Sequence, residues 1–133
     1  MDSLNSLFTV RKEDFDQPVL VTGSSGCIGS WALAILVRAG VPAVSFDLDT
    51  SRRRPGLLMS EGELAQVTWV EGDIADAEAV EQAVAENGVG SILHLAALQV
   101  PFCRADPVAG APGNVVGTVA GFEAARRPRQ PPN

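Results

Sequence analysis

The stretch Val19-Leu20-Val21-Thr22-Gly23-Ser24-Ser25-Gly26-Cys27-Ile28-Gly29-Ser30 decides the fold. Its apolar start, Val19 to Val21, follows Pro18, is short and is rich in β-branching, which suits a strand buried on both faces. Glycines at 23, 26 and 29 then space a G-x-x-G-x-x-G turn. Ile28, Ala32, Ile35, Leu36 and Ala39 recur at helical period, and Gly40 closes the run. The expected local structure is strand, glycine turn, helix.

Such a turn works through its backbone. Glycines let the chain fold tightly and let an anion approach the peptide N–H groups with no Cβ in the way. The helix N-terminus adds unpaired N–H donors and a partial positive charge, which together favour a diphosphate. Three glycines alone also fit a tight turn with no ligand. Ser24 and Ser25 either line the turn or cap the helix.

Composition narrows the classes. The chain has 133 residues, enough for one domain with a core. It is 46% apolar and 20% charged, the balance of a soluble globular chain. A net charge of −6 argues against a general nucleic-acid binder. No apolar run reaches the roughly 20 residues of a membrane helix, and the N-terminus lacks a signal-peptide pattern. Cys27 and Cys103 are too few for a disulfide framework or a zinc site, so no metal is expected, and the default setting is reduced and cytoplasmic. There is no tyrosine, and Lys12 is the only lysine.

Outward from the glycine turn, residues 1–17 read as a polar leader. Ala43 to Asp47 is a second strand ending in an acid, and 49–56 a polar loop. Leu57 to Ala65 holds one weak helical stretch broken by Gly62. Val67 to Val70 is a third strand, and 76–87 a helix with Ala77, Val80 and Val84 on one face. Ser91 to Leu95 is a fourth strand. Residues 98–113, with three prolines and two glycines, are expected to be mostly loop. Residues 114–126 return to helical period with Val115, Val119 and Phe122 on one face, and 127–133 form a Pro/Arg-rich tail.

Strands alternating with helices predict an α/β fold: a Rossmann-type parallel sheet with helices on both faces, here truncated after about four strands. In such sheets ligands bind beyond the carboxyl ends of the strands, where the strand order reverses. The glycine turn, Asp47, Asp73 and Ala96-Ala97 all fall at those ends. Asp47 lies 18 residues after Gly29. A carboxylate there can accept both ribose hydroxyls of an adenosine and would repel a 2′-phosphate, favouring NAD over NADP. A solvated loop-edge acid is the plainer alternative. Arg52, Arg53 and Arg54 either soften that choice or are a solvated loop. Asp73 either accepts from an adenine amino group or caps the helix that follows. His94, the single histidine, has no triad partner at a recognisable spacing and reads as a packed structural residue. Cys27 reads as a small filler.

Taken together, Thr22-Gly23-Ser24-Ser25-Gly26-Cys27-Ile28-Gly29, Asp47, Gly72-Asp73-Ile74, His94-Leu95-Ala96-Ala97, Asp106-Pro107, Asn114-Val115-Val116-Gly117-Thr118 and Glu123-Ala124-Ala125-Arg126 resemble the NAD-dependent epimerase/dehydratase family, the extended short-chain dehydrogenases. The resemblance covers residues 18–126 and implies a partial NAD(P)-binding Rossmann domain there. By that resemblance Gly23, Ser25, Gly26 and Gly29 shape the pyrophosphate turn, and Cys27 and Ile28 donate backbone N–H groups to it. Asp47 holds the adenosine ribose, and Asp73 and Ile74 flank adenine. Ala96 and Ala97 lie beside the pyrophosphate and nicotinamide ribose. Asn114 matches the asparagine that interrupts the helix behind the active site and supports the proton relay. The implied partners are the dinucleotide and, in a full-length relative, a nucleotide sugar.

The family's hydride chemistry uses a Tyr-x-x-x-Lys pair that this sequence does not contain. Judged by family length, more than half of the protein is absent, and the ending reads as a truncation or a shifted frame. The fourth strand is then expected to be an open apolar edge. Three functions compete: the cofactor-binding portion of an epimerase/dehydratase without catalysis of its own, a non-enzymatic NAD-sensing or partner-binding module, and an S-adenosylmethionine methyltransferase. The glycine spacing and Ala96-Ala97 argue against the third. A P-loop nucleotidase is disfavoured because no Gly-Lys-Ser/Thr follows the turn.

Overall fold

The computed structural model of the protein describes residues 9–127. Four strands, β1 (Val19–Thr22), β2 (Ala43–Asp47), β3 (Thr68–Glu71) and β4 (Ser91–His94), form one parallel sheet in the order β3-β2-β1-β4. Helix α1 (Cys27–Arg38) follows β1, and the one-turn helices α2 (Pro55–Leu58) and α3 (Glu61–Leu64) follow β2. Helix α4 (Ala77–Glu86) follows β3. After β4 come α5 (Val100–Ala105), α6 (Pro107–Ala111), a π-helical segment (Pro112–Val116) and α7 (Gly117–Arg126).

The sheet is sandwiched, and β1 shows why its sequence is apolar throughout. Val19 and Val21 face one layer, with Leu33, Leu36 and Val37 of α1 and with Met59. Leu20 faces the other, with Val44, Phe46, Val80 and Ala83 of α4, and Ala120 and Ala124 of α7. Each wholly buried side chain of this size contributes about 1.5–3 kcal/mol. From β1 the chain runs outward to β2 and β3, then returns to place β4 on the other side of β1. The reversal point therefore lies between β1 and β4, where the glycine turn and the Leu95–Ala97 segment both emerge.

Three expectations about local structure are corrected. Residues 98–113 are largely helical. Pro107 opens α6 and Pro101 sits in the first turn of α5, positions where a missing N–H costs nothing. The Asp106 carboxylate caps α6 by accepting the Ala109 N–H at 3.0 Å. Second, the 57–65 region is two helical turns separated at Met59, which is buried, and Gly62 lies inside the second. Ser60 and Glu63 form a reciprocal capping box there. Third, Val115, Val119 and Phe122 lie on the exposed side of the 114–126 region. What packs on the sheet is the small-residue face, Gly117, Ala120, Gly121 and Ala124.

The described part of the expected leader is partly structured. Lys12–Asp14 form a 3-10 turn, Arg11 pairs with Asp14 at 2.7 Å, and Phe15 packs against the α1-side core. Residues 1–8, and positions 128–133 of the expected tail, lie outside the described residues. Among the described residues no helix is long and apolar enough to cross a membrane.

Candidate functional site

Gly23 leaves β1 at φ +67°, a conformation that side chains rarely adopt. A Cβ there would lie 2.7 Å from the Ala96 nitrogen and 2.8 Å from its Cα. The glycine turn is thus in direct backbone contact with the segment leaving β4. A Cβ on Gly29 would overlap the Gly23 carbonyl oxygen, so the first turn of α1 is seated directly on the glycine turn. Helix α1 opens on Gly26, which has no side chain to cap it. Among the described residues the N–H groups of Cys27 and Ile28 have no protein acceptor, and both residues are exposed. Uncapped donors at the positive end of a twelve-residue helix are suited to an anion.

The second strand braces the turn from its other side. The Asp47 carboxylate accepts the Ser25 N–H at 3.0 Å through one oxygen and the Asp49 N–H at 2.9 Å through the other. Ser25 Oγ donates to the Asp49 carbonyl at 2.7 Å, and the buried hydroxyls of Ser24 and Ser45 meet at 2.6 Å. Ser30 Oγ donates to the Gly26 carbonyl at 2.7 Å. Next to Asp47, the Asp49 carboxyl is held below the usual carboxylate range by the Ser51 hydroxyl, then by the Ser51 N–H and the charge of Arg54. Arg52 stacks its guanidinium over the Trp69 ring at 4.6 Å. A hollow of about 250 Å³ lies here, lined by Ser45, Asp49, Thr50, Arg52, Trp69 and Glu71 among others.

At the end of β3, Gly72 donates its N–H to the Asp47 carbonyl at 3.1 Å, which sets Asp73 beside the Asp47 strand end. Asp73 is exposed and accepts the Ala75 N–H at 2.8 Å, while the helix cap is Asp76. Ile74 is half-buried with its side chain against Gly117 of α7. The Ile74 carbonyl oxygen also lies close to Gly117, and of the two residues only Asp73 is exposed.

Asn114 lies in the π segment. Its Oδ1 accepts the Leu98 N–H at 2.7 Å, and its Nδ2 donates to the Leu98 carbonyl at 3.1 Å. Ala96 and Ala97 are therefore held between β4 and Asn114. A groove of about 520 Å³ lies away from the glycine turn, between α4, the free edge of β4 and α7.

The structure thus gathers the glycine turn (Gly23, Ser25, Gly26, Cys27, Ile28 and Gly29), Asp47, Ala96 and Ala97 at the carboxyl ends of β1, β2 and β4, with Asp73 following β3 and Asn114 bonded to Leu98. Sequence reasoning gave no role to the Thr22, Ser45 and Thr118 hydroxyls that tie these segments together, and it left Ser24 to line the turn or cap the helix, whereas its hydroxyl meets Ser45. Small hydroxyl residues carry no spacing signal, and their partners lie as far as 74 residues away in sequence.

Comparison with known proteins agrees with this architecture. A family profile described as GDP-mannose 4,6 dehydratase matches residues 20–132. A UDP-glucose 4-epimerase of Azospirillum brasilense is 41% identical over 78 residues, 59% of this chain and 21% of that protein. The UDP-glucose 4-epimerase of Rhizobium leguminosarum bv. trifolii is 33% identical over 111 residues, 83% of this chain and 32% of its own length. The Thermus thermophilus UDP-glucose 4-epimerase, solved with NAD, superposes with a TM-score of 0.68 at 31% identity, covering 81% of this chain and 33% of that one. The Bordetella bronchiseptica enzyme WbmG, solved with NAD and UDP, gives 0.64 at 25% identity, covering 80% and 33%. The chain spans about a third or less of the length of these relatives and corresponds to their N-terminal Rossmann portion. It belongs to the GDP-mannose 4,6-dehydratase family, which is of the NAD-dependent epimerase/dehydratase type.

Proposed function

We propose that this chain binds NAD in the crevice between the carboxyl ends of β1 and β4, as the cofactor-binding portion of an enzyme acting on a nucleoside-diphosphate sugar. The observation that carries the reading is the uncapped N-terminus of α1 on a glycine turn braced by Asp47. Cys27 and Ile28 offer two free backbone donors to the pyrophosphate, and the close seating of Gly23 and Gly29 keeps the turn shallow enough for it to approach. Asp47 retains carboxylate lone pairs beyond its two backbone donors and can accept the ribose hydroxyls. Its charge opposes a 2′-phosphate, and Arg52 of the arginine run is engaged with the Trp69 ring. NAD is accordingly preferred over NADP. Asp73 and the Ile74 backbone sit where adenine would lie, and Ala96 and Ala97 border the nicotinamide ribose.

NAD supplies hydride transfer when bound. These 133 residues contain no tyrosine and one lysine, ahead of β1, so they orient the cofactor and do not supply a Tyr–Lys proton-transfer pair. This reading requires NAD to bind. Calorimetric titration with NAD, NADP and S-adenosylmethionine tests this: saturable NAD binding is expected, tighter than NADP, with no S-adenosylmethionine binding. Absence of NAD binding at millimolar concentration overturns the reading.

A further inference from the structure

We propose that His94 is a positioning residue: locked as the Nε2–H tautomer, it closes a ring of hydrogen bonds that fixes the backbone of Ala96 and Ala97. That this segment borders the cofactor rests on the reading above; the ring itself does not.

The direction of each bond follows from its neighbours. The hydroxyl oxygen of the wholly buried Thr22 accepts the Ala96 N–H at 3.2 Å. It also accepts the Leu95 N–H at 3.1 Å, which that amide shares with the Thr22 carbonyl at 3.2 Å. With its lone pairs engaged, the Thr22 hydroxyl directs its hydrogen to His94 Nδ1, 2.8 Å away. Nδ1 is then an acceptor, and the ring proton of a neutral imidazole resides on Nε2. Nε2 faces Thr118 Oγ1 at 3.2 Å. Thr118 donates its own hydrogen to the Asn114 carbonyl at 2.7 Å, because a carbonyl can only accept. Its oxygen is left free to receive the Nε2–H. The same assignment satisfies both ends of the chain of bonds.

The ring closes through Asn114, whose carboxamide grips Leu98 at both its N–H and its carbonyl. Residues 96 and 97 therefore hang between Thr22 at one end and Asn114 at the other. His94 and Thr118 join those two anchors across the gap between β4 and α7. A histidine that only fills space would not need this tautomer, and its loss would not be felt at Ala96 and Leu98.

Because His94 is the single histidine, its tautomer can be read without ambiguity from the imidazole nitrogen resonances of the ¹⁵N-labelled full chain. The expected result is the Nε2–H form at neutral pH. Thr118→Val keeps the shape and removes the acceptor. With Thr22 still donating to Nδ1 the tautomer should hold, while amide exchange at Ala96 and Leu98 should speed about five- to tenfold and NAD binding weaken about three- to tenfold. Thr118→Ser restores the hydroxyl and should restore both, and the tautomer of the unaltered chain is the test if the valine variant does not fold. A Nδ1–H form or a tautomer mixture in the unaltered chain overturns the proposal. So does a folded Thr118→Val chain with unchanged exchange at Ala96 and Leu98. If the unaltered chain does not bind NAD, the cofactor reading fails, and the tautomer and exchange results still decide the ring.

Discussion

The Asp47 carboxylate at the end of β2 accepts the Ser25 N–H of the glycine turn at 3.0 Å. One acid therefore both shapes the anion cradle and stands beside it. Its second oxygen accepts the Asp49 N–H, so it also sets the loop that borders the hollow under Arg52 and Trp69. Asp47→Ala should weaken NAD binding about 10- to 100-fold, the range expected for hydrogen bonds to a charged group. NADP, already opposed by the charge, should lose much less. Equal losses for both dinucleotides, measured by calorimetry, would remove the ribose assignment.

Gly23 and Gly40 share a positive φ but not an environment. At Gly40 (φ +72°) an added Cβ meets nothing within 4 Å, whereas at Gly23 it meets the backbone of Ala96. Gly40→Ala should cost about 1–2 kcal/mol, the strain of the left-handed conformation alone. Gly23→Ala should cost about 3 kcal/mol or more, because overpacking is added to that strain, and it should abolish cofactor binding. Urea midpoints of the two variants compare them directly. Equal costs would mean that the turn does not press on the β4 exit.

The small-residue face of α7 makes a similar contrast. Ala124 is 5% exposed against the sheet, whereas Phe122 is 75% exposed. Ala124→Leu should cost about 1–3 kcal/mol by overpacking. Phe122→Ser should change stability by no more than about 0.5 kcal/mol. The reverse order would show that the large apolar residues of this helix pack inward.

Acid should loosen the α1–α3 contact. The Glu63 carboxyl is held below its ordinary value of 4.5 by the Arg38 side chain, whose Nε donates to it at 2.9 Å, and then by the Ser60 N–H. Folding lowers this pKa, so the stabilisation is complete above the unfolded value near 4.5. It is lost as the pH falls through the lower folded value. Asp14, Asp49 and Glu123 are shifted in the same direction. The urea midpoint should therefore fall on acidification below about pH 4.5, and Glu63→Gln should make that fall shallower. Superimposable pH profiles would count against the ion pair.

Much of this is legible in the residues themselves. β1, the glycine turn and α1 declare themselves because a doubly buried strand is continuously apolar and its phosphate-type turn needs glycine at set intervals. α4 is legible from its run of helix formers with Val80 inward, whereas Ala77 is exposed, Ala83 is the second buried residue and the cap is Asp76. α5 and α6 are not, since Pro101, Pro107 and Pro112 read as breakers when two of them occupy first-turn positions. The buried face of α7 is hidden because periodicity follows large side chains. Close approach selects Gly117, where a Cβ would lie 2.8 Å from Ile74 Cγ1. The hydroxyl network through Thr22, His94 and Thr118 joins three elements distant in sequence, and no local pattern encodes it.

The most direct test of the central claim is an NAD titration of the ¹⁵N-labelled full chain followed at every backbone amide. Binding in the β1/β4 crevice predicts saturable shifts at Ser25, Cys27, Ile28, Ala96 and Ala97, with smaller ones at Asp73 and Ile74. No shifts at millimolar NAD, or shifts confined to the groove between α4 and α7, would contradict it.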